Sequence, residues 1–257
     1  MFDLLIKELS ALEEVEAIAL GGSRAGEVFD SSSDYDVYLY CTAPVAESVR
    51  CQILSRYCSI MEIGNHYWEL EDNCVLNNGI DIDILYRDLD SFTADVAAVV
   101  EQHHARNGYT TCMWHNLRTC KILYDKNGRL QEVKTRFDVP YPDRLQENII
   151  SRNFNLLQAS MPAYRVQIVK AIKRRDLVSI NHRVAAFMES YFDILFALNQ
   201  MTHPGEKRQI QLCKEHCTIL PANFEENINR LFFHMYTAPE QVEGDISALI
   251  GNLRKIL

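Results

Sequence analysis

The feature that most limits how this chain can fold is a change in apolar spacing at residues 139–142, which read Val-Pro-Tyr-Pro. Two prolines within four residues cannot continue a helix or a central strand, so the segment predicts a boundary. Beyond it, apolar residues recur at the 3.6-residue spacing of amphipathic helices. That spacing covers residues 143–160, 162–174, 177–200 and 222–257.

Segments with the patterns of strands dominate the part of the chain before this boundary. Residues 15–20 are apolar apart from Glu16, which is typical of a buried strand, and residues 35–40 and 80–86 alternate as half-buried strands do. We therefore predict an α+β fold in which residues 1–138 form a mixed sheet with flanking helices and residues 139–257 form an all-α bundle. Further predictions are helices over 2–14, 45–62 and 91–106, an extended segment over 68–75, a polar loop over 27–33, and a strand or helix end over 121–133 with a turn at Asn127-Gly128.

Charge narrows the classes of partner. The chain has 257 residues and a formal net charge of -9. A general nucleic-acid binder needs a broad basic surface, so this charge argues against nucleic acid as a partner. A nucleotide substrate is still compatible with an acidic chain, because a bound divalent metal reverses the sign of the local field.

Nothing in the sequence predicts a membrane or secreted protein. The N-terminal segment has acids among its apolar residues, unlike a signal peptide, and no uncharged apolar run approaches about 18 residues. We therefore expect a cytoplasmic protein with no membrane partner, whose eight cysteines are reduced thiols. A metal site at Cys213, His216 and Cys217 is the alternative there, although no second ligand pair follows at zinc spacing.

A glycine-serine turn and a pair of aspartates carry the chemistry. Gly22-Ser23 follows the first strand, and Asp34 and Asp36 come after ten intervening residues. Glycine lets backbone amides approach phosphate oxygens where a Cβ would intrude, and the serine hydroxyl adds a hydrogen-bond donor. Aspartates two positions apart on a strand point to the same side, where they can share Mg²⁺.

A third carboxylate is available from the strand predicted over residues 80–86. Asp81 and Asp83 lie on one face of that strand, because side chains two apart point the same way. Such a carboxylate can complete a second metal site, or it can take the proton from an attacking hydroxyl. Two metal ions about 3.5–4 Å apart would clamp the entering and leaving oxygens of an in-line attack at phosphorus.

The order and spacing of these residues resemble the nucleotidyltransferase superfamily, which includes DNA polymerase β and the antibiotic nucleotidyltransferases. The matching stretches are GGSRAGEVFDSSSDYD and GIDIDILYRD, within about the first 90 residues. The resemblance implies that Asp34, Asp36 and Asp83 are catalytic and hold one or two Mg²⁺ ions. Asp81 is the second choice for the third carboxylate.

The same resemblance implies ATP or another NTP as co-substrate, with its triphosphate on Gly22, Ser23 and Arg24. In the helical half, Lys170 and Lys173 belong to a group of four basic residues on one predicted helix. This group is either a solvated helix face or a second contact for the triphosphate or the leaving pyrophosphate. The resemblance further implies that the helical half shapes the acceptor pocket.

Three functional hypotheses follow. The first is metal-dependent transfer of a nucleoside monophosphate, AMP from ATP, to a hydroxyl of a small-molecule acceptor, with aminoglycosides and lincosamides as the acceptor classes that the resemblance suggests. The second is a regulatory transferase that modifies a protein or an RNA. The third is a non-catalytic nucleotide-binding module that keeps the metal site, because a fold alone does not guarantee activity.

Overall fold

A computed structural model of the chain describes residues 1–26 and 33–257, and the chain divides into two units. The first unit comprises Met1–Ala97 and Asn116–Val139, and the second comprises Ala98–His115 and Pro140–Leu257. Most of the polar loop predicted over 27–33 lies outside the described residues. The α+β class predicted from the sequence is confirmed, with a mixed sheet in the first unit and helices in the second.

The first unit is built on a six-stranded mixed sheet. Its strands are β1 (Val15–Leu20), β2 (Tyr35–Cys41), β3 (Cys58–Asn65), β4 (Glu71–Leu76), β5 (Asp81–Arg87) and β6 (Lys121–Asp125). The helices up to Arg136 are α1 (Phe2–Leu9), α2 (Gly22–Ala25), α3 (Glu47–Leu54), α4 (Leu89–Val100), α5 (Cys112–Thr119) and α6 (Arg129–Arg136). The strand order is β3-β4-β5-β2-β1-β6, and β2 and β5 run parallel while the other neighbours run antiparallel.

The two faces of this sheet have different characters. Alternate residues of the strands, such as Val37, Leu39, Ile82 and Ile84, are fully buried against α1 and α3. The residues between them point to the opposite face. At the amino ends of β2 and β5 that face carries half-buried polar side chains rather than core residues. The sheet therefore presents a polar surface at the start of these two parallel strands.

The prediction of a helix over residues 45–62 is wrong in its second half. The helix α3 ends at Leu54, and Cys58–Asn65 is the edge strand β3, which pairs with β4. Ile60 and Ile63 in this segment are β-branched and suit a strand, but they also fit the helical spacing of the residues before them. The opening helix is also shorter than predicted: it ends at Leu9 and not at residue 14.

The second unit is a helical bundle. Its later helices are α7 (Asp143–Phe154), α8 (Tyr164–Arg174), α9 (Leu177–Leu198), α10 (Gln209–His216), α11 (Phe224–Thr237) and α12 (Val242–Arg254). The helix α9 is the centre of the bundle, since every residue from 190 to 197 is buried. The continuous helical pattern predicted over 222–257 is interrupted at Ala238-Pro239, where proline removes a backbone donor.

The segment Ala98–His115 belongs to the second unit, although it lies before the division at 138/139 that the sequence predicts. A buried polar network connects this segment to helices of the second unit. The Asp193 carboxylate on α9 accepts hydrogen bonds from the Thr110 backbone N–H at 3.0 Å and the Thr110 hydroxyl at 2.7 Å. The Asn153 side chain on α7 accepts one from the Gly108 N–H at 3.2 Å. Burial raises the pKa of Asp193 to about 6.

The described helices include none that is both long and apolar enough to cross a membrane. All eight cysteines are free thiols, as expected, and five of them are buried. The alternative of a metal site at Cys213, His216 and Cys217 is not supported. Within residues 1–26 and 33–257, these three side chains do not form a group whose ligand atoms could share an ion.

Candidate functional site

Three aspartates of the first unit converge on the polar face of the sheet. Each of Asp34, Asp36 and Asp83 offers one carboxylate oxygen, and these oxygens lie within 4.8 Å of one another. The strand pairing explains the approach, since Asp36 on β2 is directly opposite Asp83 on the parallel strand β5. Asp34 lies two residues before Asp36 and points to the same side. All three side chains are half-buried.

Gly22 makes room for the Asp36 carboxylate. A Cβ on Gly22 would lie 1.7 Å from Asp36 Oδ2, and the backbone of Gly22 has a φ of +58°. Only glycine combines this left-handed backbone with the required close approach. The Gly21 N–H donates to the Asp36 carbonyl oxygen at 2.8 Å, so the turn after β1 is tied to the strand that carries the aspartate.

Ser23 and Arg24 continue this turn into the short helix α2. Ser23 is exposed beside Gly22. Arg24 Nε donates to the Ser33 carbonyl oxygen at 2.7 Å, and the guanidinium carbon lies 4.0 Å from the centre of the Tyr35 ring. These contacts tie α2 to the residues that lead into β2, next to Asp34 and Asp36.

Lys121 is a cation at this turn that the sequence reasoning missed. It is the first residue of β6, and its Nζ donates to the Arg24 carbonyl oxygen at 3.4 Å. Its side chain is exposed, so the ammonium group is accessible to a ligand. No motif marks this lysine, which reaches the turn because β6 pairs with β1 and Lys121 lies opposite Leu20.

Asp83 has a hydrogen-bond partner that the sequence reasoning also missed. Asn73 lies opposite Asp83 on the neighbouring strand β4, and its Nδ2 donates to Asp83 Oδ1 at 2.8 Å. Asp81, the other aspartate considered for the third position, is exposed at the start of β5 and lies opposite Val75. Among the described residues it is not a member of the group that Asp34, Asp36 and Asp83 form.

The three carboxylates fit a divalent cation such as Mg²⁺. Carboxylate oxygens are the ligands that this ion prefers, and it commonly takes few of them from the protein while other positions go to water and substrate phosphates. Three like charges this close also repel one another, and a cation between them offsets that repulsion. The space that Gly22 leaves beside Asp36 Oδ2 keeps one of these oxygens uncrowded by a Cβ.

The two lysines predicted to contact the triphosphate lie in the second unit. Lys170 and Lys173 are exposed on α8. Neither forms an ion pair with another residue in the described ranges. Their contact with a nucleotide stays a prediction.

Comparison with known families gives one partial match. Residues 110–208 match a domain of unknown function (DUF4037). This segment begins at Thr110, after the three aspartates, and ends at Arg208, just before α10. No curated protein matches the chain.

Several solved structures are similar to this chain. A nucleotidyltransferase-like protein from Exiguobacterium sibiricum is 10% identical with a TM-score of 0.46, and the match covers 100% of this chain and 74% of that one. An aminoglycoside 6-adenyltransferase from Bacillus subtilis is 11% identical with a TM-score of 0.31, covering 98% and 90%. The CCA-adding enzyme of Thermotoga maritima, complexed with tRNA, is 11% identical with a TM-score of 0.32, covering 99% and 80%. Each of these three likenesses is at most 11% identical and has a TM-score below 0.5.

Proposed function

We propose that this chain is a metal-dependent nucleotidyltransferase. It moves a nucleoside monophosphate from an NTP to a hydroxyl of a small-molecule acceptor, and ATP is the NTP that we propose. The observation that carries the proposal is the convergence of Asp34, Asp36 and Asp83 beside Gly22. The sequence motifs point to the same chemistry, because a glycine-serine turn followed by paired aspartates is the pattern of that superfamily.

The metal site would be held by Asp34, Asp36 and Asp83. Bound Mg²⁺ supplies positive charge that offsets the negative charge of the triphosphate as the leaving pyrophosphate develops. The protein's contribution is to hold the three carboxylates in one place, through the pairing of β2 with β5. Gly22 contributes the space that keeps the Asp36 carboxylate in this position.

The triphosphate would lie along the turn that follows β1. Gly22 has no side chain to block a phosphate oxygen, and the exposed Ser23 hydroxyl can donate to it. Lys121 and Arg24 add positive charge at the same turn, although the Arg24 side chain already binds Ser33. Positive groups fixed near the β- and γ-phosphates favour departure of pyrophosphate.

The transfer itself requires one bond to form and one to break. The acceptor oxygen forms a bond to the α-phosphorus, the bond from that phosphorus to the oxygen bridging the α- and β-phosphates breaks, and pyrophosphate leaves with the electron pair. The proton of the acceptor hydroxyl passes to a carboxylate of the site. Asp83 is our candidate for this proton, because it is the third member of the group and stands on a different strand from Asp34 and Asp36.

A direct test is pyrophosphate release from ATP and Mg²⁺ in the presence of a panel of hydroxylated small molecules. Asp36→Asn should reduce the rate at least about 100-fold, more than removal of a group outside the metal's own ligands typically does. Asp81→Asn, which removes a charge from the same sheet, should keep most of the activity. Equal rates for the wild type and Asp36→Asn would overturn the site assignment.

Labelled ATP and calorimetry separate transfer to a small molecule from the other two hypotheses. Incorporation of label into protein or RNA of a cell lysate, with none into small molecules, would favour a regulatory transferase. The net charge of -9 argues against an RNA acceptor. Nucleotide binding by calorimetry without pyrophosphate release under any condition would favour a non-catalytic module.

A further inference from the structure

A row of polar side chains crosses four strands of the sheet at the level of the candidate metal site. Asp36 on β2 lies opposite Asp83 on β5, and Asp83 lies opposite Asn73 on β4. Asn73 in turn lies opposite Glu62 on the edge strand β3. Directly opposite residues in antiparallel strands have Cβ atoms about 4.5–5.5 Å apart, so their side chains can contact one another.

Hydrogen bonds lead from Asn65, on β3 three residues after Glu62, through Asn73 to Asp83. Asn65 Nδ2 donates to Asn73 Oδ1 at 2.5 Å and to Glu62 Oε2 at 3.4 Å. Asn73 Nδ2 donates to Asp83 Oδ1 at 2.8 Å. The Asn73 amide therefore accepts a hydrogen bond from Asn65 and donates one to Asp83.

The contact from Asn65 fixes the orientation of the Asn73 amide. A side-chain amide has an acceptor oxygen and a donor nitrogen, and reversing it exchanges the two. A reversed Asn73 would turn its oxygen towards the Asp83 carboxylate and its NH₂ group towards the NH₂ group of Asn65. Both contacts would be repulsive, so Asn65 keeps the donor of Asn73 directed at Asp83.

We propose that Asn73 is a positioning residue that holds Asp83 in the metal-binding arrangement. Its hydrogen bond engages Asp83 Oδ1, limits rotation of the carboxylate and leaves Oδ2 without a contact from Asn73. Asn65 acts one step further out, by orienting Asn73. This inference rests on the proposed function, since it assumes that Asp34, Asp36 and Asp83 bind a divalent cation.

The experiment is a titration of the full-length protein with Mn²⁺, followed by electron paramagnetic resonance and without nucleotide. Groups that orient metal ligands typically change metal affinity 10–100-fold when removed. We expect Asn73→Ala to weaken Mn²⁺ binding about 10-fold and Asn65→Ala to weaken it less, in the same direction. Asn77→Ala is the matched control, because Asn77 is an exposed asparagine just after β4 whose side chain makes one long hydrogen bond of 3.4 Å.

A double-mutant cycle separates positioning from a general structural effect. If Asn73 acts through Asp83, Asn73→Ala should weaken Mn²⁺ binding no further in a chain that already carries Asp83→Ala. An additional loss of the same size in that background would overturn the proposal, because Asn73 would then act by another route. Unchanged affinity in both Asn73→Ala and Asn65→Ala would overturn it as well.

The Mn²⁺ titration also distinguishes a failure of the proposed function from a failure of the positioning role of Asn73. Asp36→Ala should abolish the same Mn²⁺ binding. If Asp36→Ala leaves binding unchanged, the metal site and the function built on it are wrong. If Asp36→Ala abolishes binding and the Asn73 variants do not alter it, only the positioning role of Asn73 is wrong.

Discussion

Single residues of the candidate site differ in how far the sequence determines them. Asp34 and Asp36 stand in a recognisable pattern after Gly22-Ser23, so the motif suffices to select them. Asp81 and Asp83 lie on one face of their strand, and the resemblance favours Asp83, with Asp81 as second choice. The register of β5 against β2 brings Asp83 to the group. Asn73 has no motif at all, because its role depends on which strand lies beside β5.

At this scale, Gly22→Ala should abolish activity while the protein stays folded. The new Cβ would lie 1.7 Å from Asp36 Oδ2, so the carboxylate or the turn must move. Displacing a reacting group by about 1 Å can reduce a rate about 100-fold, and we expect a loss of at least that size in pyrophosphate release.

Gly79→Ala is the matched control for that substitution. Gly79 has a φ of +83°, also left-handed, but a Cβ there would meet no atom within 4 Å. Both variants therefore carry the backbone cost of about 1–2 kcal/mol for a residue with a Cβ in this region. Equal activity of the two variants would mean that the closeness of Gly22 to Asp36 is not required.

Lys121→Ala should raise the KM for ATP about 10-fold, the equivalent of one charge-assisted hydrogen bond. The reason is the position of its Nζ beside the Arg24 carbonyl oxygen, on the turn proposed to bind the triphosphate. Steady-state kinetics against ATP would measure it. Lys126→Ala removes an exposed lysine just after the same strand and serves as the control; similar KM changes in both would indicate a general charge effect.

Secondary-structure elements were predictable where one pattern dominated. The strand over 15–20 is observed with those bounds, because its apolar run ends abruptly at two glycines. The helix predicted over 45–62 includes the first part of the edge strand β3, because this strand has one buried residue and lacks clean alternation. The sequence gives no prediction for the helix α10, which is short and has Cys213 as its one buried residue.

The central helix α9 leads to a prediction about pH. Burial raises the pKa of Asp193 to about 6, above the ordinary value of 3.8, so the folded protein binds this proton more tightly than the unfolded chain. The stabilisation from Asp193 is therefore fully present below about pH 4 and is lost as the pH rises through about 6. One proton changes the free energy of unfolding by at most about 1.4 kcal/mol per pH unit.

Urea unfolding of the wild type and Asp193→Asn between pH 4 and pH 7 measures this effect. The asparagine keeps the size of the side chain and cannot titrate. We expect the stability of the wild type to fall relative to that of Asp193→Asn as the pH rises through this range. A constant difference between the two proteins would contradict the raised pKa.

At the scale of the whole molecule, the sequence predicts two parts but not the path of the chain between them. The proline-containing segment 139–142 marks a change of periodicity that is visible in the sequence. The segment Ala98–His115 belongs to the second unit through hydrogen bonds from Gly108 and Thr110 to distant helices. Contacts over such sequence separations leave no local pattern.

A fragment of residues 1–138 should therefore contain a segment without its partners. In the intact chain the Gly108 and Thr110 N–H groups are bound to Asn153 and Asp193. Limited digestion with chymotrypsin should cut the fragment near Tyr109 much faster than it cuts the full-length protein. Equal protection at Tyr109 in both would show that the segment is stable without the second unit.

In the proposed reaction the α-phosphate of ATP, and not the γ-phosphate, moves to the acceptor. The most direct measurement uses ATP labelled at either phosphate, with Mg²⁺ and an acceptor that supports pyrophosphate release. Nucleotidyl transfer predicts that only the α-label appears on the acceptor and that the γ-label leaves in pyrophosphate, with both processes lost in Asp36→Asn. Transfer of the γ-label to the acceptor, or transfer of the α-label at an unchanged rate in Asp36→Asn, would contradict it.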